Sequence, residues 1–136
     1  MRTQENLIWL LGTLDNIAAE RGFTFVCSEL KEAQRAVREY PAMWMEQPKF
    51  ISQQGEQHGR QRYRSRLALI TREHQPSPAE KMAKRIFLED TLLEILEALS
   101  QEQQVALIDS VKSEALAICN ADEVSASVTA EIEMIF

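Results

Sequence analysis

The stretch GRQRYRSRLALI, Gly59 to Ile70, sets arginine at every second position and then turns apolar. Successive side chains of a β-strand point to opposite faces. A period of two therefore puts Arg60, Arg62, Arg64, Arg66, Ala68 and Ile70 on one face, and Gln61, Tyr63, Ser65, Leu67 and Leu69 on the other. The second half needs cover on both faces and anchors the strand in a core. The first half needs much less, and its four cations need acidic neighbours of some kind.

Working backwards, QQGEQHG at 53–59 carries two glycines and no apolar residue, which marks an exposed hairpin loop. AMWMEQPKFIS before it is aromatic and apolar but contains Pro48, and proline has no N–H to give a sheet ladder. An edge strand, or one broken by a bulge, is expected there. FTFVC at 23–27 suits a strand, and SELKEAQRAVREY reads as a short helix. The chain opens with an amphipathic helix: Thr3 is a candidate cap, Leu7, Ile8, Leu11, Leu14, Ile17 and Ala18 recur at three- and four-residue spacing, and Gly22 supplies the stop.

Working forwards, Ser77, Pro78 and Glu80 have the spacing of a capping box with proline at the first helical position. The helix they start is expected to bury Ile86, Leu92, Leu93, Leu96 and Leu99, supported by Met82 and Ile95. Periodicity leaves 101–120 undecided between a short helix through VALID and strand. VSASVTAEIEMIF at the C-terminus alternates Val124, Ala126, Val128, Ala130, Ile132, Met134 and Phe136 with polar residues, a strand with one buried face. ALAIC, joined to it through NADE, is its expected hairpin partner. The sum is one α+β domain over 1–136, a mostly antiparallel sheet packed against an N-terminal helix and a long central helix.

The 136 residues suffice for a core without disulfides or metal, burying roughly two-thirds of the unfolded surface. Hydrophobic residues at 45% and charged residues at 26% are ordinary for a soluble chain, and no apolar run is long enough for a membrane span. Glu5, Asn6 and Asp15 interrupt the N-terminal apolar stretch, so no signal peptide is expected and the protein reads as cytoplasmic. Cys27 and Cys119 lack the spacing of a zinc site or disulfide framework. A net charge of −6 opposes wholesale binding of nucleic acid.

The chain contains no phosphate loop, nucleophile elbow, H-E-x-x-H or calcium loop. His58 and His74 both fall in polar, turn-like segments, and Glu131 and Glu133 share a strand face without a sign of separated acidities. No enzymatic activity, cofactor or metal is expected. Trp44 and Met45 are candidate apolar anchors at an interface, since aromatics and methionine are enriched in interface cores. Read as a nucleic-acid patch, the arginine row lacks stacking aromatics, because Tyr63 points to the opposite face. Glu131 and Glu133 can meet some of the arginines within one sheet, and the remainder of Arg60, Arg62, Arg64 and Arg66 is expected to face a neighbouring subunit or partner.

The succession of an opening helix, PAMWMEQPKF leading through GEQHG into RYRSRLALI, the capped helix SPAEKMAKRIFLEDTLLEIL and the closing strand EVSASVTAEIEMIF resembles the tail terminator and tail-completion proteins of long-tailed bacteriophages. What the resemblance implies is a non-enzymatic virion component that forms a homo-oligomeric ring, commonly a hexamer. Such a ring caps the tail tube and joins it to the head connector, assembling in the host cytoplasm before it enters the virion. The other expectation is a small intracellular adaptor or regulatory domain that binds a peptide or protein.

Overall fold

The computed structural model describes residues 2–54, 60–73, 77–102, 106–112 and 124–136. In chain order these form α1 (Arg2–Glu20), β1 (Thr24–Ser28), a single 3-10 turn (Leu30–Glu32) running into the short α2 (Ala33–Ala36), β2 (Ala42–Glu46), β3 (Lys49–Gln54), β4 (Arg60–Glu73), α3 (Pro78–Ser100), β5 (Ala106–Lys112) and β6 (Val124–Ile135). The fold is α+β, as the sequence leads one to expect.

β4 organises the sheet. It is 14 residues long and pairs antiparallel with β6 from Arg62 opposite Ile135 to Glu73 opposite Val124. Its other edge is shared. β2 lies against Leu67–Ile70 and β3 against Arg60–Arg64. The full order is β1-β2-β4-β6-β5, with β3 beside the arginine half of β4. Among the described strands only β1 and β2 run parallel, and α2 lies in the connection between them.

Pro48 decides why β2 and β3 are two strands. Met45 opposes Leu67 and Lys49 opposes Arg64, so three residues (Glu46, Gln47, Pro48) face two (Ser65, Arg66). That is a bulge, placed where proline cannot donate to the ladder. The carbonyl of Glu46 is recovered by the hydroxyl of Ser65, which is fully buried and donates to it. A second irregularity puts Ile51 between the Phe50/Tyr63 and Ser52/Arg62 pairs.

Two apolar clusters sandwich β4. On the inner face, Leu67 and Leu69 join Leu10, Leu14 and Ile17 of α1, Leu88, Leu92, Ile95, Leu96 and Leu99 of α3, and Val128 to Met134 of β6. Fully burying each leucine or isoleucine contributes about 1.5–3 kcal/mol, which makes this the main source of cohesion. On the outer face, Ala68 and Ile70 pack with Ala42 and Trp44 beneath Ala33 and Val37. Among the described residues the outer cluster stops there, and Arg64 in the arginine half of β4 is exposed.

Several expectations need correction. In α1, Leu10 is fully buried while Ile8 is 63% exposed, and helix begins at Arg2, so Thr3 lies inside it. In α3, Leu88 and Thr91 are buried, whereas Met82, Ile86 and Leu93 face out. The undecided segment contains the strand Ala106–Lys112, which pairs with β6. The expected ALAIC hairpin, the loop at 55–59, both histidines and Cys119 lie outside the described residues. The helix ends match their signals: Gly22 takes φ 78, with Gly22 N–H on the Ala19 carbonyl and Phe23 N–H on that of Ala18, and Ser77 with Glu80 closes the capping box. Among the described residues no helix is long and apolar enough to cross a membrane.

Candidate interaction face and cleft

The arginine row divides by partner. Arg62 Nη1 donates to Glu133 Oε1 at 3.0 Å, two residues along β6 from Ile135, the residue directly opposite it. Arg66 grips Glu46 with both arms of its guanidinium, Nη2 to Oε2 at 2.6 Å and Nε to Oε1 at 3.3 Å. Glu46 is buried, so the pair sits in a medium that strengthens it. The hydrogen bond from Arg66 to Glu46 raises the proton affinity of the guanidinium, with Coulombic help from Glu46 and Glu131 against a desolvation cost. Two of the cations are thus held within this chain.

Arg64 is different. It is exposed, lies directly opposite Lys49 on one side and Glu133 on the other, and Glu133 is held by Arg62. Like charges directly across a ladder repel, so Lys49 and Arg64 make a local excess of positive charge. Among the described residues neither makes an ion pair. Arg60 begins β4 opposite Gln54, and its side chain lies outside the described set.

Trp44 and Met45 are not surface anchors. Both are fully buried within the chain, Met45 in the inner cluster and Trp44 in the outer one, where its indole N–H donates to Ser28 Oγ at 2.9 Å. The exposed apolar residues of this region are Phe50 (57%) and Ile51 (40%), on the outer edge of β3. Phe50 stands edge-on to Tyr63, Tyr63 to Phe136, and Phe136 to Trp9. The ladder of rings ties an exposed edge to the core.

A cleft of about 710 Å³ opens at the break between β2 and β3. Leu7 and Leu11 line it from α1, Leu30 from the 3-10 turn and Pro48 from the break, with Glu46 and Arg66 also in its lining. Cys27 lines it too, half-buried, and burial pushes its thiol pKa up, away from the reactive thiolate. Its size is that of a small-molecule or peptide side-chain pocket. Among the described residues no group of three potential metal ligands converges.

Sequence reasoning missed Glu46, Lys49, Phe50 and Ile51 as contributors. Pro48 was the signal, since a proline inside an apolar strand bends the edge and turns its neighbours outward. The scan against family models finds no match, and the search of curated proteins returns none.

Proposed function

We propose that the chain is a non-enzymatic structural protein of a phage or prophage tail, of the terminator or completion kind, acting as a ring subunit that caps the tail tube and joins it to the head connector. Its surface chemistry is interfacial. The observation that carries the reading is the cationic pair Lys49 and Arg64, exposed and without an ion pair among the described residues, on the strand pair whose β3 also exposes Phe50, on the Tyr63 face, and Ile51. An acidic surface of a second copy, or of the tube or connector, complements such a patch, and the apolar edge adds contact area. The resemblance of the element order to tail terminators supplies the assembly itself. On this reading Arg60 and Arg64 reach the partner, while Arg62 and Arg66 stiffen the strand that presents them.

The test is the native mass at micromolar concentration, with and without the proteins that precede and follow the chain in assembly. A closed oligomer that dissociates in Arg64→Glu, with the monomer fold kept, agrees with the proposal. A monomer under every condition, including with tube and connector proteins, overturns it.

The adaptor reading rests on the cleft beside Glu46 and Arg66, whose apolar residues Leu7, Leu11, Leu30 and Pro48 suit the side chains of a peptide. A lasting monomer that captures one extended peptide there would decide for it.

A further inference from the structure

α3 carries a second apolar row, away from the core. Leu88, Thr91, Leu92, Ile95, Leu96 and Leu99 face inward, while Met82, Ile86 and Leu93 stand 58%, 49% and 53% exposed. At about 3.6 residues per turn, positions separated by four and by seven fall on one side of a helix. Met82, Ile86 and Leu93 have that spacing and make one stripe. Single exposed apolar residues are ordinary, but an aligned row marks a surface that meets another.

The charge beside this stripe has one sign. Asp90 follows Ile86 by four residues and Glu97 follows Leu93 by four, which sets each carboxylate next to an apolar member of the row. Both are exposed. Neither has a lysine or arginine three or four residues away along the helix, and neither makes an ion pair among the described residues. Of the helix's own cations, Arg85 is engaged by Glu89 at 3.7 Å, and Lys84 stands over the ring of Phe87, 5.6 Å from its centroid. The outward face of α3 is thus apolar and acidic.

Its chemical complement is on the same chain. Lys49 and Arg64 are exposed, cationic and without an ion pair among the described residues, and Ile51 of the same strand pair is 40% exposed. Arg64 shares the outer face of β4 with Ala68, whereas α3 packs on the inner face through Leu88, Leu92 and Ile95. The two surfaces lie on opposite sides of the sheet, so one copy can offer both at once.

We propose that the outward face of α3 is the surface of a second copy that receives the cationic patch, with Asp90 and Glu97 toward Lys49 and Arg64 and the apolar row against Ile51. Such a contact is head to tail: unlike surfaces meet, and each copy keeps one of each for the next. This rests on the assembly reading and names the acidic surface that reading requires. Opposite charges fix which faces meet, and the apolar row supplies contact area.

Sedimentation of the full chain at micromolar concentration tests it, with tube and connector proteins present where assembly needs them. Asp90→Lys with Glu97→Lys is expected to raise the concentration for half-assembly roughly tenfold or more, as Arg64→Glu does. An equimolar mixture of the two kinds of variant should regain the oligomer, because reversed patch meets reversed helix face and native meets native. Should the helix variant unfold by circular dichroism, Asp90→Asn with Glu97→Gln is expected to weaken assembly severalfold. An oligomer that Arg64→Glu dissociates but the α3 variants leave intact overturns this inference and spares the assembly reading. A mixture that stays monomeric overturns it as well, and so does an intact oligomer whose α3 variants lose only the tube or connector protein. A native chain that is monomeric under every condition overturns both readings.

Discussion

Arg66 on β4 holds Glu46 on β2 by two hydrogen bonds across the bulge at Pro48, at 2.6 and 3.3 Å. The pair bridges the bulge at which this edge of β4 passes from β2 to β3. It also lines the cleft, so one contact supports the break and shapes the cavity beside it. Glu46→Ala removes a buried carboxylate and orphans a half-buried guanidinium. The expected loss is about 1.5–3 kcal/mol of unfolding free energy in urea. Arg66→Ala should cost a similar amount, and the double variant less than the sum, which a double-mutant cycle would read as coupling. Strict additivity would show that the two charges act as independent, solvated groups.

Arg62 and Arg64 should behave oppositely although they are two residues apart. Arg62→Ala breaks the bond to Glu133 and is expected to lower the thermal midpoint by a few degrees, a loss of about 1 kcal/mol. Arg64→Ala touches no ion pair among the described residues and should leave stability within about 0.5 kcal/mol. Equal destabilisation by the two would remove the distinction between them.

Gly12 inside α1 and Gly22 just beyond its C-terminal end give a clean contrast. A Cβ at Gly12 would meet nothing within 4 Å, and the residue is mid-helix and exposed, so Gly12→Ala should stabilise by roughly 0.5–1 kcal/mol. Gly22 also has open space but sits at φ 78, where an L side chain is strained, and Gly22→Ala should destabilise by about 1 kcal/mol. Chemical denaturation of both variants checks the signs.

Ser77→Ala removes the acceptor for Glu80 N–H and half of the reciprocal box that starts α3. A loss of about 1 kcal/mol is expected, with hydrogen exchange accelerated at Lys81 and the neighbouring amides of the first turn. Unchanged exchange there would mean that the helix start is held by packing instead.

The Cys27 thiol carries a pKa raised by burial, so its linkage has a definite sign. The contribution is fully present below the unfolded-state value of about 8.5 and is lost as pH rises through the higher folded value. Stability should therefore fall on the alkaline side more steeply in the native protein than in Cys27→Ala. At pH 8, iodoacetamide should modify Cys27 more slowly in the folded than in the urea-unfolded chain, read by peptide mass. Equal rates would contradict the raised value.

The parts of the fold legible in sequence were those in which a local rule acts alone. β4 announces itself through strict alternation, α3 through Ser77, Pro78 and Glu80, and α1 ends where Gly22 permits positive φ. The buried face of α3 was hidden because Met82, Ile86, Phe87 and Leu93 are as apolar as the residues that face inward. Thr91 added to the confusion: it enters the buried face with its hydroxyl donating to the Phe87 carbonyl at 2.8 Å, a polar residue satisfied by its own helix. Trp44 looked like an anchor since nothing local says that Ala33 and Val37 will fold over it. The cleft beside Pro48 was not visible, because it is made by segments that meet only in three dimensions.

Two irregularities interrupt one edge, Pro48 before β3 and Ile51 within it. A fibril that lengthens by stacking strand on strand needs an unbroken row of donors and acceptors along the joining edge. Here Pro48 removes a donor and Ile51 shifts the row by one residue, so a second copy cannot extend the ladder in register. The broken strand is therefore also a brake on runaway polymerisation.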